Sequence, residues 1–110
     1  MELSFASSDL EKVCSDPDEA RKKYGQACSK KLQSCIKVLE SAANVSELPR
    51  LYGLHDLKGD RIGQKAFSLD KSVRLVFAPG MDGTPRKSDG GIDWQCVTIV
   101  SIEYIGNYHD

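Results

Sequence analysis

The chain has 110 residues, 40% of them hydrophobic, which is enough for a single domain over residues 1–110 and too short for two. No stretch approaches the roughly 18 consecutive apolar residues of a membrane span, and the first five residues lack the basic-then-apolar order of a secretion signal, so we expect a cytoplasmic protein with no membrane partner. The formal net charge of -1 argues against nonspecific coating of nucleic acid, but residues 20–37 carry six bases and no acid, and residues 50–87 carry eight bases against four acids.

The first half of the chain is predicted to be helical after a short opening strand at Glu2–Phe5. The run Ser8-Asp9-Leu10-Glu11 is a capping box that starts a short helix ending near Cys14. Asp16 followed by Pro17 starts a second, long helix that runs to about Asn44. Its apolar residues recur every three or four positions, at Ala20, Tyr24, Cys28, Leu32, Cys35, Leu39 and Ala42. We therefore expect a two-helix hairpin with one stripe facing a core.

The four cysteines, at positions 14, 28, 35 and 96, are predicted to be reduced and mostly buried. They show neither the C-x-x-C pairing of a zinc site nor the density of a disulfide-stapled domain. We therefore expect no metal and no cofactor.

The second half is predicted to form strands. Lys65 to Leu69 and Val73 to Phe77 alternate with period two around a tight turn, which leaves Arg74 and Val76 facing away from the helices. Residues 78–93 hold four glycines and two prolines and form a long connection. Trp94 to Ile105 is predicted as one last strand. These elements predict an α+β fold in which a helical hairpin packs on one face of a mostly antiparallel sheet of four to five strands.

Three segments supply candidate functional residues for the other sheet face. They are the loop Leu54-His55-Asp56-Leu57-Lys58-Gly59-Asp60-Arg61, the outward-facing Arg74, and the tail Asn107-Tyr108-His109-Asp110. Each has a structural explanation as well, namely a solvated turn with a local ion pair, an exposed strand residue and a frayed terminus. Their combination is what favours a functional site.

These three elements together resemble the HigB group of the RelE toxin superfamily, and the likeness extends over nearly the whole chain. The run of residues 54–61, the strand Val73-Arg74-Leu75-Val76-Phe77 and the late Tyr108-His109 carry it. The resemblance implies a toxin of a type II toxin–antitoxin system that enters the ribosomal A site and cleaves the messenger RNA there without a metal. Its implied partners are the ribosome with its mRNA, and a HigA-like helix-turn-helix antitoxin. Operator DNA would be bound only through this antitoxin.

The resemblance also implies roles for individual residues. The implied catalytic residues are Lys58, Arg74, Tyr108 and His109, of which His109 has the pKa range of a general acid or base at neutral pH. Substrate contacts are expected from His55, Arg61 and Asn107. Ribosomal RNA phosphates are expected to contact the helical lysines, Lys22, Lys23, Lys30 and Lys31.

The chain departs from the family pattern at two places, and three other functions stay open. Asn107 stands where the family commonly has Asp, and the connection 79–93 is longer than usual. A ParE-like toxin would act on DNA gyrase and would not need the Tyr108-His109 pair. A degenerate toxin would only bind its antitoxin. A generic nucleic-acid-binding domain would leave the clustering of Lys58, Arg74 and His109 unexplained.

Overall fold

The computed structural model describes residues 1–107. Within that range, three helices and five strands follow one another in the order β1, α1, α2, α3, β2, β3, β4, β5. Their bounds are β1 Glu2–Phe5, α1 Ser8–Ser15, α2 Pro17–Tyr24, α3 Gln26–Ser41, β2 His55–Asp56, β3 Lys65–Ser68, β4 Arg74–Pro79 and β5 Ile99–Gly106. No helix in this range is both long and apolar enough to cross a membrane.

Side-chain caps explain where the first two helices begin. The Ser7 side chain accepts a hydrogen bond from the Leu10 amide at 3.2 Å, one residue before the predicted capping box. The carboxylate of Asp16 accepts from the Asp18 amide at 3.0 Å, and Pro17 takes the first helical position, as predicted.

The predicted long helix is interrupted at Gly25. This residue has φ +88°, a conformation that L side chains rarely adopt, and it ends α2 and precedes α3. The apolar stripe continues across the break, because Ala20, Cys28, Leu32 and Cys35 are all buried. The prediction of one continuous helix was therefore wrong at Gly25, although the face that packs on the core was correct.

The strands form one sheet in the order β1-β5-β4-β3-β2. Only β1 and β5 run parallel, and the other three pairs are antiparallel. The helices pack on one face of this sheet, where Phe67, Leu75 and Phe77 are fully buried with Leu32 and Leu39. The predicted α+β fold, with an N-terminal strand and a mostly antiparallel sheet, is confirmed.

A β-bulge lies in the middle of β5. Val76 pairs with Tyr104 but Phe77 pairs with Ile102, so Glu103 has no partner opposite it in β4. An extra residue in one strand reverses the side-chain alternation beyond it. Ile102 consequently belongs to the helix-side core, whereas Tyr104 contacts a separate cluster formed by Leu57, Ala66 and Val76.

The strand predicted from Trp94 to Ile105 begins later than expected. Trp94–Cys96 is a short 3₁₀ turn, and the strand itself begins at Ile99. The preceding connection contains a small hairpin, in which Arg86 forms an isolated bridge with Ile92 and the Lys87 amide donates to the Gly91 carbonyl at 2.8 Å.

The cysteines are free thiols in different surroundings. Cys28 and Cys35 are buried on α3 as predicted, and Cys14 is half-buried. Burial raises the pKa of the Cys35 thiol to about 12. Cys96 is the exposed thiol.

Candidate functional site

We call the sheet face opposite the helices the site face, and two of its rows of paired residues carry the candidate residues. His55, Ala66, Val76 and Tyr104 form the first row, and Ser68, Arg74 and Gly106 form the second. Directly paired residues place their side chains on the same face. The prediction that Arg74 and Val76 face away from the helices is thus confirmed by the register. This face is not entirely open, since Val76 and Ala66 are fully buried.

A turn after β2 covers part of the site face. The Lys58–Arg61 turn contains the 3₁₀ segment Gly59–Arg61, with Lys58 extended before it and exposed. Leu57, 3% exposed, anchors it in the cluster with Ala66 and Val76. The guanidinium carbon of Arg61 lies 5.0 Å from the ring centroid of Tyr104. The turn is thereby folded over the sheet, with Arg61 in a cation–π contact.

The ring of Tyr104 lies along β5 over Gly106. A Cβ atom at residue 106 would be 2.6 Å from the Tyr104 hydroxyl oxygen and 2.8 Å from its Cζ. Only glycine leaves room for this placement of the ring. The hydroxyl donates to the carbonyl oxygen of Asn107 at 3.4 Å.

Arg74 is the first residue of β4 and pairs with Gly106 on one side and with Ser68, the last residue of β3, on the other. Its Nη1 donates to the Asp70 carbonyl oxygen at 2.8 Å, which ties the guanidinium to the β3–β4 turn. The Asp70 carboxylate accepts from the Ser72 and Val73 amides, each at 2.7 Å. These hydrogen bonds hold the pKa of Asp70 below its ordinary value.

Lys58 and Arg74 belong to different ends of the site face. Lys58 follows β2 on the side where Asp56 pairs with Lys65, whereas Arg74 pairs with Ser68. The three residue steps from Lys65 to Ser68 span about 10 Å of strand. Arg61 belongs to the same turn as Lys58, and Tyr104, which it contacts, lies over Gly106, the residue that pairs with Arg74.

His55 lies at the edge of the sheet, two strands away from Arg74. Its Nδ1 is 2.7 Å from the Gly53 carbonyl oxygen, and it lines a pocket of about 440 Å³ with Lys65 and Trp94. Lys65 binds the Asp56 carboxylate at 2.7 Å, and its Nζ lies 4.6 Å from the Trp94 ring centroid. The structure does not bring His55 together with Arg74.

Two of the four helical lysines, Lys23 and Lys31, have contacts that place them near the Arg74 end of the sheet. Lys22, Lys23 and Lys30 are exposed. The Nζ of Lys31 lies 5.4 Å from the Tyr52 ring centroid, and the Tyr52 carbonyl accepts from the Ser68 amide. Beside Lys23, the Tyr24 hydroxyl donates to the Ile105 carbonyl oxygen at 3.4 Å. Lys23 and Lys31 therefore lie near the end of the sheet where β5 ends, but on the helix side.

The tail residues are only partly covered by the structure. Asn107 is exposed directly after β5. The predicted catalytic residues Tyr108 and His109 lie outside the described residues, as does Asp110.

A larger groove is unrelated to the predicted residues. It lies between β1, α1 and α3, has a volume of about 660 Å³ and is lined by Leu3, Phe5, Cys14 and Ile36 among others. None of the predicted site residues within 1–107 lines it. The chemistry of the side chains, rather than the size of the concavity, favours the site face.

Tyr104 is the residue that the sequence prediction missed. A signal for it was present in the spacing of aliphatic residues, which are two apart at Val100 and Ile102 but three apart at Ile102 and Ile105. Such a break in alternation indicates a bulge and places the intervening aromatic residue on the other face.

Comparisons with known proteins find similarity in structure but not in sequence. No protein-family model matches the chain, and no curated protein matches it in sequence. The YoeB/ParE toxin from Agrobacterium tumefaciens superposes with a TM-score of 0.62 at 14% identity, covering 99% of this chain and 100% of that one. YafQ from E. coli gives a TM-score of 0.57 at 14% identity, covering 96% and 91%. The YoeB–YefM complex from Staphylococcus aureus gives 0.56 at 15% identity, covering 100% and 98%. The fold is that of the RelE-like toxins.

Proposed function

We propose that this protein is the toxin of a type II toxin–antitoxin system, a ribosome-dependent endoribonuclease of the HigB type that cleaves messenger RNA in the A site. The observation that carries the proposal is the site face. It presents Arg61 and Arg74, with an aromatic ring between them, on the side of a RelE-like sheet that the helices leave uncovered. Lys58, from the same turn as Arg61, adds a third cation.

The cations are suited to phosphoryl chemistry. In the proposed reaction the RNA 2′-hydroxyl oxygen attacks the adjacent phosphorus, and the bond to the 5′-oxygen of the next nucleotide breaks. Negative charge accumulates on the phosphorane oxygens, where a guanidinium fork and an ammonium stabilise it. Arg74 is the proposed phosphate ligand, because its contact with the Asp70 carbonyl holds its position. Lys58 adds charge from the turn.

Proton transfer is assigned to the tail. His109 is the proposed general acid or base, since an ordinary imidazole exchanges protons near neutral pH. Tyr108 stacks on a base or orients the phosphate in this proposal, and Asn107 contacts the substrate. The connection of these residues to β5 supports the assignment, because the strand ends beside Arg74.

The remaining residues are assigned to binding. Arg61 and His55 contact nucleotides next to the cleaved bond in this proposal. The helical lysines bind ribosomal RNA phosphates independently of sequence in this proposal, namely Lys22, Lys23, Lys30 and Lys31.

An antitoxin is the proposed protein partner. Two structural neighbours are YoeB–YefM complexes from Staphylococcus aureus, and one of them is a heterotetrameric toxin–antitoxin complex. For this chain we propose a HigA-like helix-turn-helix antitoxin, which would also make the contact with operator DNA.

The test is cleavage on programmed ribosomes. Purified protein is incubated with ribosomes carrying a defined messenger, and the RNA ends are mapped by primer extension. We expect cuts at the A-site codon that need the ribosome and disappear in His109→Ala. Naked RNA is the control for ribosome dependence, and thermal unfolding confirms that the variant is folded.

The alternative functions predict different outcomes. If the folded wild-type protein cuts no messenger, the ribonuclease proposal is wrong. A gyrase assay then separates a ParE-like poison, which traps cleaved DNA, from a degenerate toxin, which does not. Expression without the antitoxin arrests growth if the protein is a ribonuclease or a ParE-like poison, and has no effect if it is a degenerate toxin.

A further inference from the structure

We propose that the pocket beside His55 binds a nucleotide of the messenger next to the cleaved bond, with Trp94 stacked on the base and the cations Arg50 and Lys65 on a phosphate. The inference rests on the proposed ribonuclease function and deepens it. We call this cavity of about 440 Å³ the edge pocket. None of its residues is assigned to the cleavage step.

The edge pocket lies at the side of the sheet where β2 is the last strand, and four segments meet there. Arg50 comes from the loop before β2, His55 and Asp56 from β2, Lys65 from β3, and Trp94 from the 3₁₀ turn before β5. Segments that are distant in the chain therefore place two cations, an imidazole, a carboxylate and an indole around one cavity.

Lys65 has hydrogen-bonding capacity left for a ligand. Its side chain is only 17% exposed, and its Nζ donates to the Asp56 carboxylate at 2.7 Å and lies 4.6 Å from the Trp94 ring centroid. An ammonium has three N–H donors, and Asp56 is its only hydrogen-bond acceptor within residues 1–107. A phosphate oxygen would satisfy a further donor of this largely buried group.

Arg50 supplies a second cation that the fold itself does not use. It is exposed, and its guanidinium has no ion pair, hydrogen bond or ring contact with the part of the chain that the structure describes. The edge pocket holds one carboxylate, Asp56, against the two permanent cations, so one positive charge remains. A purely structural ion pair would need Lys65 and Asp56 but not Arg50. The excess charge favours an anionic ligand.

Trp94 and an apolar wall suit the base of that ligand. The indole is half-buried against the main core, and the buried residues Val45 and Leu48 line the same cavity. Aromatic side chains stack on the bases of single-stranded RNA, while neighbouring cations bind its backbone. An indole next to two cations therefore indicates a nucleotide rather than a free phosphate ion.

The edge pocket is continuous with the site face through His55. This residue pairs with Ala66 in the row that continues through Val76 to Tyr104. Two strand spacings, about 10 Å, separate the strand of His55 from that of Arg74. A nucleotide next to the one whose phosphate binds Arg74 therefore has the edge pocket within reach.

The first experiment uses the fluorescence of Trp94, which is the only tryptophan of the chain. The four nucleoside 5′-monophosphates are titrated onto the free protein, and inorganic phosphate is tested as a competitor. The variants are Arg50→Gln and Asp56→Asn. Arg21→Gln is the matched control, because it removes the same charge from α2, where Arg21 pairs with Asp18. Thermal unfolding checks that each variant is folded.

We expect the mononucleotides to quench Trp94 with a Kd of about 1 mM, since a stacked base and a charge-assisted hydrogen bond act together. Arg50→Gln should raise the Kd about threefold, whereas Asp56→Asn should lower it about threefold, because removal of the carboxylate increases the positive charge. Arg21→Gln should leave it unchanged. A pocket that serves only the fold would show neither change, and inorganic phosphate that competes as well as the mononucleotides would reduce the pocket to an anion site. Either result overturns the inference.

Cleavage on programmed ribosomes then tests whether the bound nucleotide belongs to the messenger. An abasic nucleotide next to the cleaved bond should raise KM about fivefold for the wild type, with kcat changed less than about twofold, because binding is lost and not the chemical step. The effect should disappear in Trp94→Leu and persist in Trp94→Phe, which keeps a flat ring. An equal abasic effect in the wild type and in folded Trp94→Leu would point to a ribosomal nucleotide instead and overturn the assignment to the messenger.

Two results separate this inference from the function on which it rests. If the wild type cleaves but mononucleotides do not quench Trp94, the inference is overturned and the ribonuclease function stands. If the folded wild type does not cleave, the function is overturned, and the fluorescence titration with its charge variants alone decides whether the edge pocket binds a nucleotide.

Discussion

The guanidinium carbon of Arg61 lies 5.0 Å from the ring centroid of Tyr104. Arg61 follows the edge strand β2 and Tyr104 belongs to β5, so β3 and β4 lie between their strands. The contact therefore requires the turn to fold back over half of the sheet. It brings the basic loop toward the strand whose end leads to the tail.

The anchor of this turn is testable at Leu57. We expect Leu57→Ala to reduce the free energy of unfolding by about 2–3 kcal/mol, because it leaves a cavity over Ala66 and Val76. Cleavage should fall as well, since Lys58 and Arg61 lose their support. Urea unfolding measures the first effect. Ile62→Ala is the control, because Ile62 is 79% exposed and its loss should change stability by no more than about 0.5 kcal/mol. Equal losses in both variants would contradict this account of the turn.

Arg74 is expected to act through its fork geometry as well as its charge. Arg74→Lys keeps the charge and removes the planar guanidinium, so kcat should fall about 100-fold. Stability should change little, as Arg74 is only half-buried. Single-turnover cleavage on ribosomes measures the effect. Arg86→Lys serves as control, because Arg86 lies in the hairpin before β5, where its guanidinium donates to the Gly90 carbonyl. Cleavage at the wild-type rate by Arg74→Lys would exclude a bidentate role.

The stability of the β3–β4 turn should depend on pH through Asp70. Its pKa is lower in the folded protein than in the unfolded chain, chiefly because it accepts hydrogen bonds from the Ser72 and Val73 amides. Between the two pKa values the unfolded state binds more protons, so stability rises with pH there. The contribution is complete above the ordinary carboxyl pKa and is lost as pH falls through the lowered one. Asp70→Asn should flatten this acidic limb in urea unfolding, which is measured from about pH 5 down to about pH 2 so that it includes the range below the ordinary carboxyl pKa. An unchanged limb would show that other carboxylates dominate it.

Cys96 should react slowly for an exposed thiol. Its Sγ donates to the Asp93 carboxylate at 3.3 Å, and this hydrogen bond with the nearby negative charge raises its pKa. Asp93→Asn removes the charge, so more thiolate forms at a given pH and alkylation accelerates. Mass spectrometry after iodoacetamide treatment follows each thiol, with the buried Cys28 and Cys35 as slow internal references. A rate that is unaffected by Asp93→Asn would argue against this contact.

Much of the fold was predictable because its signals are local. Asp16 and Pro17 identify a helix start from two adjacent residues, since capping depends on the neighbouring amides. The alternation of Phe67, Leu75 and Phe77 correctly assigned the core face of β3 and β4. Gly25 shows the limit of periodicity, because the apolar stripe continues through a residue whose backbone leaves the helix.

The candidate site was predicted less completely. The sequence indicated Lys58, Arg61 and Arg74, because lysine and arginine side chains bind phosphate. These residues also lie in the two segments, 54–61 and 73–77, that carry the resemblance to the HigB group. It did not show that His55 and Arg74 lie two strands apart, because the order of strands in a sheet is not a local property of the sequence. His55 lies at the sheet edge beside Lys65 and Trp94, two strands from Arg74.

The sequence by itself determined an opening strand followed by helices and then strands, the apolar faces of the helices and of β3 and β4, and the set of cationic residues, all of which follow from local propensity and spacing. Only the tertiary structure decided that Tyr104 lies on the site face, that Arg61 reaches it and that Gly106 makes room for its ring. The physical reason is the register. One unpaired residue in β5, Glu103, reverses the side-chain alternation, and its effect depends on which residues of β4 lie opposite, a pairing between segments distant in the chain.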